Sequence, residues 1–374
     1  MKNEFGRYLQ LVSRFVLSRL MRIDLMLLAI VMTITTIGFI TLFSAGYSFP
    51  WRIEDQVRNI VIAGSVMLIV AHIPVKWFEK AALPAFVLGV SLLIATLAAG
   101  VTVKGATRWL NIGIRIQPSE IMKLAVPMML AWYYYRRGES TAWWDHAVAF
   151  ALLAVPVALI MKQPDLGTAI LVAISGCSVI FFSGISIKAV ACFCLLGLLS
   201  LPVAWNLLHD YQRERIITLI DPTTDPLGKG FHTLQAQIAI GSGGFSGKGW
   251  MQGTQSHLDF IPERTSDFIF AVFGEEFGFV GALILLGLFS ALIARSFVIA
   301  GTASSRFSRL LAASIGVIFF TYTFVNIGMV SGILPVVGVP LPFMSYGGTA
   351  LLMLGICTGI LLSISAEAST TFYK

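Results

Sequence analysis

Apolar residues run along this chain in long blocks rather than in alternation, and the blocks share one preferred length. Windows near the twenty residues that an α-helix needs to cross a bilayer recur at 25–46, 58–75, 80–100, 118–135, 146–161, 166–184, 187–207, 267–295, 309–332 and 345–366. The pattern predicts an all-α polytopic membrane protein of about ten transmembrane helices. The fifth span is short, and Pro156 and Pro164 predict a kink or break between it and the sixth.

Two polar stretches interrupt the blocks. In residues 1–23, Phe5, Leu9, Val12, Val16 and Leu20 recur at three- and four-residue spacing with Arg7, Arg14, Arg19 and Arg22 on the opposite arc. That is the pattern of a cytoplasmic interfacial helix, the other reading being a disordered basic tail; no signal-type apolar core with a cleavage site follows. The second stretch, 209–266, separates spans seven and eight and is long for a loop. Ile216, Ile217, Phe231, Leu234, Ile238, Trp250 and Phe260 are too many apolar residues for a solvated linker. A large ordered extracytoplasmic loop, folded onto the outer mouth of the bundle, is expected. Within it, 233–240 has amphipathic helical spacing and is stopped by Gly241-Ser242-Gly243-Gly244. No internal repeat is visible, so transporter-type symmetry has no support and 1–374 reads as a single integral membrane domain.

Composition excludes a soluble globular protein: 57% of the 374 residues are hydrophobic and 12% charged, against roughly 45–50% and about 25% in ordinary domains. The net charge of +7 does not indicate a nucleic-acid partner, because the basic residues are scattered singly between apolar spans. Their excess in alternate short loops, with Lys76, Lys80, Arg136, Arg137, Arg306 and Arg309 on one side, places both termini in the cytoplasm. Cys177, Cys192, Cys194 and Cys357 lie in apolar runs without metal-site spacing and read as buried thiols.

Ionisable groups at membrane depth are functional candidates. Pro118 opens the fourth span, and Glu120 and Lys123 follow at i,i+3, where they either neutralise each other as a structural pair or meet a polar ligand. Before them, Arg108 and Trp109 sit in a short outside loop, the indole as a belt aromatic or a contact, the guanidinium as a phosphate fork. Asp165 falls at the start of the sixth span, as a helix cap or a site residue. Asp267, preceded by Glu263, stands where the polar loop enters span eight, with small Ala271 and Gly274 one and two turns further on. A partly desolvated carboxylate there suits a general base. Glu275 and Glu276 face elsewhere and are expected to pair with buried partners. Arg213, Arg215 and Lys248, beside the glycine-rich 241–249, can hold a diphosphate, although the spacing is not that of a P-loop. The run 338–348, which contains Ser345, breaks the helical pattern as a re-entrant turn would.

Taken in order, Gly105-Ala106-x-Arg108-Trp109, Gln117-Pro118-Ser119-Glu120-x-x-Lys123, Gln163-Pro164-Asp165-Leu166-Gly167-Thr168, Asp221-Pro222-x-x-Asp225-Pro226 and Pro342-Phe343-x-Ser345-Tyr346-Gly347-Gly348 resemble the SEDS family (shape, elongation, division, sporulation) of cell-wall polymerases. Gly253-Thr254-Gln255-Ser256 is similar to the elongation branch. The resemblance implies a peptidoglycan glycosyltransferase of the bacterial inner membrane, with its site on the periplasmic side. It polymerises lipid II, Asp267 activates an acceptor sugar 4-hydroxyl, and undecaprenyl diphosphate leaves with inversion. Arg108, Lys123, Arg213 and Arg215 are the candidates for the diphosphates, and a divalent cation (Mg or Mn) can assist. It also implies a class B penicillin-binding transpeptidase of the elongation type as partner, met through spans such as eight and nine, among other elongation-complex membrane proteins. One departure stands out: the family usually reads Pro-Glu-x-His-Thr-Asp, and this chain has Thr265-Ser266 before the aspartate. A lipid II flippase would use the same cavity without bond making, but transporters place their site at the midplane, whereas Asp267 is at the outer rim. A docking scaffold is the third reading, under which Asp267→Asn is harmless.

Overall fold

The computed structural model describes residues 23–371 apart from 104–105, 112–114, 140–141, 193–194, 196, 198, 200–205, 207–212, 214–216, 220–228, 259 and 262. The N-terminal interfacial helix, Arg215, Cys194 and the Asp221–Pro226 motif therefore lie outside the described residues, as does most of the seventh span.

The apolar blocks are helices. In chain order these are α1 (Leu25–Ala45), α2 (Pro50–His72), α3 (Val75–Ala99), α4 (Pro118–Arg137), α5 (Trp143–Lys162), α6 (Leu166–Phe182), α7 (Lys229–Ser242), α8 (Thr254–His257), α9 (Ile269–Thr302), α10 (Arg306–Val330) and α11 (Gly348–Thr371). Six of them, α1, α3, α5, α9, α10 and α11, are long and apolar enough to cross a membrane among the described residues. Their starts follow local chemistry. Asp24 caps α1 by accepting from Leu27 N (3.0 Å), Asp165 caps α6, and Ser305 caps α10. Pro50 and Pro118 occupy the first helical position, where their missing N–H costs nothing. Helix α5 passes through Pro156 unbroken, so the predicted break falls at Gln163-Pro164 alone.

Helix α4 is the axis of the bundle: 15 of its 20 residues are buried, and α3, α6 and α10 pack around it. This protein-facing environment explains why a helix with Glu120 and Lys123 survives at membrane depth, while Arg136 and Arg137 lie exposed in its last turn. Helix α11 packs on α2, and α9 lies along α10 and α1. At the end where α1 begins, Arg295 grips Asp24 at 2.7 Å and Arg306 donates to Ser183 O at 2.9 Å, tying helix ends together.

The expectation of an all-α chain needs correction. Residues 101–116, read as a loop, form a small antiparallel sheet of β1 (Val101–Val103), β2 (Ala106–Asn111) and β3 (Arg115–Ile116), with Val101 opposite Trp109 and Leu110 opposite Ile116. The β-branched Val101-Thr102-Val103 ahead of a glycine turn is a hairpin signal that the hydropathy pattern masks. The cysteines are a second correction. Among the described residues Cys177, Cys192 and Cys357 are free, with Cys357 buried and Cys177 and Cys192 exposed.

Helix α9 is longer than its apolar block and is broken at Gly278 (φ 65°, ψ −162°). The break leaves carbonyls without helical partners, and the glycine-rich loop after α7 supplies them. Lys248 N donates to Glu275 O (3.1 Å) and Gly249 N to Glu276 O (3.0 Å), while Phe279 N and Val280 N donate back to Gly244 O and Phe245 O. A Cβ on Gly247 would collide with the Glu276 carbonyl, and one on Gly278 with Gly247 N, so the two strands meet backbone to backbone. Broken helices at this depth need such compensation. The predicted amphipathic helix is α7, buried through Ala236 and Ala239.

Candidate functional site

Polar side chains collect at the end of the bundle where α6, α9 and α11 begin, around the non-helical segment 331–347. That segment touches α6, α10 and the approach to α9. A Cβ on Gly167 of α6 would stand 2.9 Å from Val337 O. Val339 shares an apolar cluster with Leu171 of α6 and Ile318 and Tyr322 of α10. The Asp267 Oδ2 lies 3.3 Å from the Cβ position of Gly338.

Three groups surround it. In the first, Arg108 of β2 donates to Pro164 O (2.7 Å) and pairs with Asp165 (3.6 Å), whose other oxygen accepts from Gln117 (3.3 Å) and Thr168 Oγ1 (2.9 Å). Asp165 is thus both the cap of α6 and the partner of Arg108. Trp109 beside it is half-buried. In the second, Lys123 Nζ donates to Glu120 Oε1 and to Tyr322 Oη, both at 2.6 Å. The i,i+3 spacing on α4 makes this pair, as expected, and Tyr322 is its third member. In the third, half-buried Asp267 precedes α9 by two residues; Phe268, not Asp267, is the helix cap.

The backbone around Asp267 is fixed from outside. Asn326 Nδ2 donates to Asp267 O (2.9 Å), Ser345 Oγ donates to Ser266 O (2.7 Å), and Tyr346 N donates to Thr265 O (2.8 Å). Fully buried Thr265 accepts from Arg52, whose guanidinium lies over the Phe49, Trp51 and Tyr346 rings. Arg264 donates to Ala45 O (2.7 Å). Burial and the Asp55 carboxylate push the Tyr346 phenol above its ordinary pKa, so it stays a donor to Asp55 Oδ2 (3.2 Å).

Several sequence candidates do other work. Ser345 uses its hydroxyl on Ser266 O and on Leu341 N (2.8 Å), so it shapes the turn that holds the Asp267 approach. Lys248 is paired with the fully buried Glu275 (2.6 Å), which also accepts from Thr254 N (2.8 Å) and Gln255 N (3.0 Å). This bears out the expectation that Glu275 pairs internally, and Lys248 is its partner. Glu276 is likewise paired with Ser44. The room above Gly274 is filled by Ile240 of α7, 3.3 Å from its Cβ position, rather than left for a ligand. Glu263 is exposed and accepts from Ser266 Oγ (3.0 Å). Arg213 donates to Asn206 O (3.0 Å). Asn326 and Arg52 were not among the sequence candidates, and Gly338 was one only as part of the 338–348 run. An asparagine in an apolar span was the available signal.

The described residues do not fit a resident metal ion: no three His, Cys, Asp or Glu side chains converge among them, and Asp165, Glu120 and Glu275 each already have a cation.

Membrane-length helices with polar side chains gathered where α6, α9 and α11 begin define a polytopic membrane protein. Comparison with known proteins narrows the class. The chain belongs to the FtsW, RodA and SpoVE family of cell cycle proteins, whose model matches residues 16–370. It is 46% identical over 344 residues, 91% of this chain and 93% of the relative, to the peptidoglycan glycosyltransferase MrdB of Escherichia coli K12. A probable peptidoglycan glycosyltransferase FtsW of Trichlorobacter lovleyi is 33% identical, with 93% and 94% of the two chains covered. Among solved structures, a chain of a peptidoglycan synthase complex that coordinates polymerization and crosslinking superposes with a TM-score of 0.79 at 29% identity, covering 92% of this chain and 98% of that one. The rod shape determining protein RodA of Thermus thermophilus gives 0.68 at 27% identity, covering 92% and 96%.

Proposed function

We propose that this chain is a peptidoglycan glycosyltransferase that polymerises lipid II for cell elongation, with Asp267 as the general base. The observation that carries the activity is the likeness to MrdB along almost the whole length of both chains. The placement of Asp267 supports its role: half-buried, against a glycine, on a backbone held by three hydrogen bonds from α10 and the 331–347 segment. Its carboxylate takes the proton of the acceptor 4-hydroxyl as that oxygen attacks the donor's anomeric carbon. The bond from that carbon to the diphosphate breaks, and undecaprenyl diphosphate leaves with inversion. Of Arg108 and Lys123, Arg108 is the more accessible to a diphosphate, since its side chain is 30% exposed while Lys123 is enclosed. A divalent cation, magnesium or manganese, would enter on the diphosphate itself.

The same reading gives ten spans, both termini on the cytoplasmic side, and the 209–266 loop and Asp267 on the periplasmic side of the inner membrane. An elongation-type class B penicillin-binding protein is the proposed partner. Helices α9 and α10 line an open apolar groove of about 200 Å³ with Leu286, Phe289, Phe320 and Phe324, a surface suited to its membrane helix. The test is polymerisation of fluorescent lipid II by the purified protein with and without that partner, resolved on a gel. Polymer supports the reading; its absence with the partner present, together with lipid II movement across liposomes, favours a flippase and overturns it.

A further inference from the structure

Asn326 lies in the last turn of α10 and is fully buried. Its Nδ2 donates to two main-chain carbonyls from different segments, Asp267 O at 2.9 Å and Val339 O at 2.7 Å. Both partners are acceptors only, so the amide orientation is fixed: a flip would set its oxygen against two carbonyl oxygens. The Oδ1 is buried and accepts no hydrogen bond among the described residues. A buried acceptor left unmet is costly, and the asparagine tolerates it while its two donors bridge the segments.

The bridge has a geometric consequence. Val339 follows Gly338, whose Cβ position is 3.3 Å from the Asp267 carboxylate. The same amide therefore holds both the backbone that carries the carboxylate and the wall that the carboxylate faces. One turn earlier on the same face of α10, Tyr322 accepts from Lys123, so the bridge is anchored on a helix that is itself pinned to α4.

We infer that Asn326 is a positioning residue for the glycosyl transfer, setting the reach and direction of the Asp267 carboxylate without contacting substrate. The inference rests on Asp267 being the base. Misplacing a reacting group by about 1 Å can cost on the order of 100-fold in rate, and the effect falls on turnover rather than binding.

The test is steady-state lipid II polymerisation by the full-length protein with its transpeptidase partner, comparing wild type, Asn326→Leu and Asn326→Asp over a range of pH. Both variants keep the number and branching of the side-chain heavy atoms. Leucine removes the donors, and a carboxylate reverses them until protonation restores one O–H donor. The expected result is kcat per folded molecule reduced about 10- to 100-fold in both at neutral pH, with KM within about twofold. The deficit of Asn326→Asp shrinks toward acid while that of Asn326→Leu stays flat. Turnover within about twofold of wild type in a folded variant, or a raised KM with kcat unchanged, overturns the inference. So does an Asn326→Asp deficit that tracks that of Asn326→Leu at every pH. An inactive wild type, or an active Asp267→Asn control, instead shows that the reading beneath it has failed.

Discussion

The Oδ2 of Asp267 and the α-carbon of Gly338 face each other so closely that a Cβ on the glycine would lie 3.3 Å from the carboxylate, and Gly338 holds φ at +76°. No other residue type meets both conditions without cost. Gly338→Ala adds left-handed strain of about 1 kcal/mol and presses a methyl on the base. The expected outcome is a polymerisation rate down about tenfold, corresponding to about 1.4 kcal/mol, with a small change in Tm. Unchanged turnover would show that the carboxylate does not work in this position.

The Lys123–Glu120 pair is enclosed and shares its ammonium with Tyr322. Lys123→Met leaves Glu120 charged and buried, which costs about 3–5 kcal/mol and should appear as a large fall in Tm in detergent. Adding Glu120→Gln should return most of the stability and, with it, activity. A double variant that is stable yet inactive would give the ammonium a role in substrate binding instead.

Lys248 shows how a plausible ligand becomes a structural group. Removing it in Lys248→Ala takes from fully buried Glu275 an ammonium it pairs with at 2.6 Å, while the Thr254 and Gln255 N–H donors stay. A charge-assisted hydrogen bond is worth about 1.5–3 kcal/mol, so Tm should fall while KM for lipid II stays within about twofold. A raised KM at constant Tm would restore the diphosphate role.

The break in α9 and the glycine loop make a matched set. Gly278→Ala puts a Cβ into the backbone at Gly247 at φ +65° and should reduce the yield of folded protein. Gly64→Ala, where nothing lies within 4 Å, serves as the control and should be neutral or slightly stabilising.

The sequence pattern was most informative where burial in lipid and helical periodicity act on whole blocks, which is why α1, α4, α6 and the amphipathic α7 stand close to their expected places. The Glu120–Lys123 pair was readable because i,i+3 spacing dictates it. Partners fixed by tertiary approach were not. Whether Lys248 meets a ligand or Glu275 depends on the fold of the loop over Gly278, and whether Ser345 faces substrate or Ser266 depends on the turn at 341–346. The sheet at 101–116 escaped because its strands are short and lie between strongly apolar blocks. Thr265, in place of the usual histidine, finds its partner in Arg52, more than two hundred residues away, a pairing that no local spacing encodes.

The most direct test is of the base itself. Purified wild type and Asp267→Asn, each shown to be folded by its melting profile and each supplied with the transpeptidase partner, are given fluorescent lipid II. The substitution is isosteric and keeps the backbone contacts to Asn326, so its effect isolates the carboxylate. Glycan polymer from the wild type and none from the variant is the predicted result. Polymer from a folded Asp267→Asn protein at a rate near wild type would contradict the assignment.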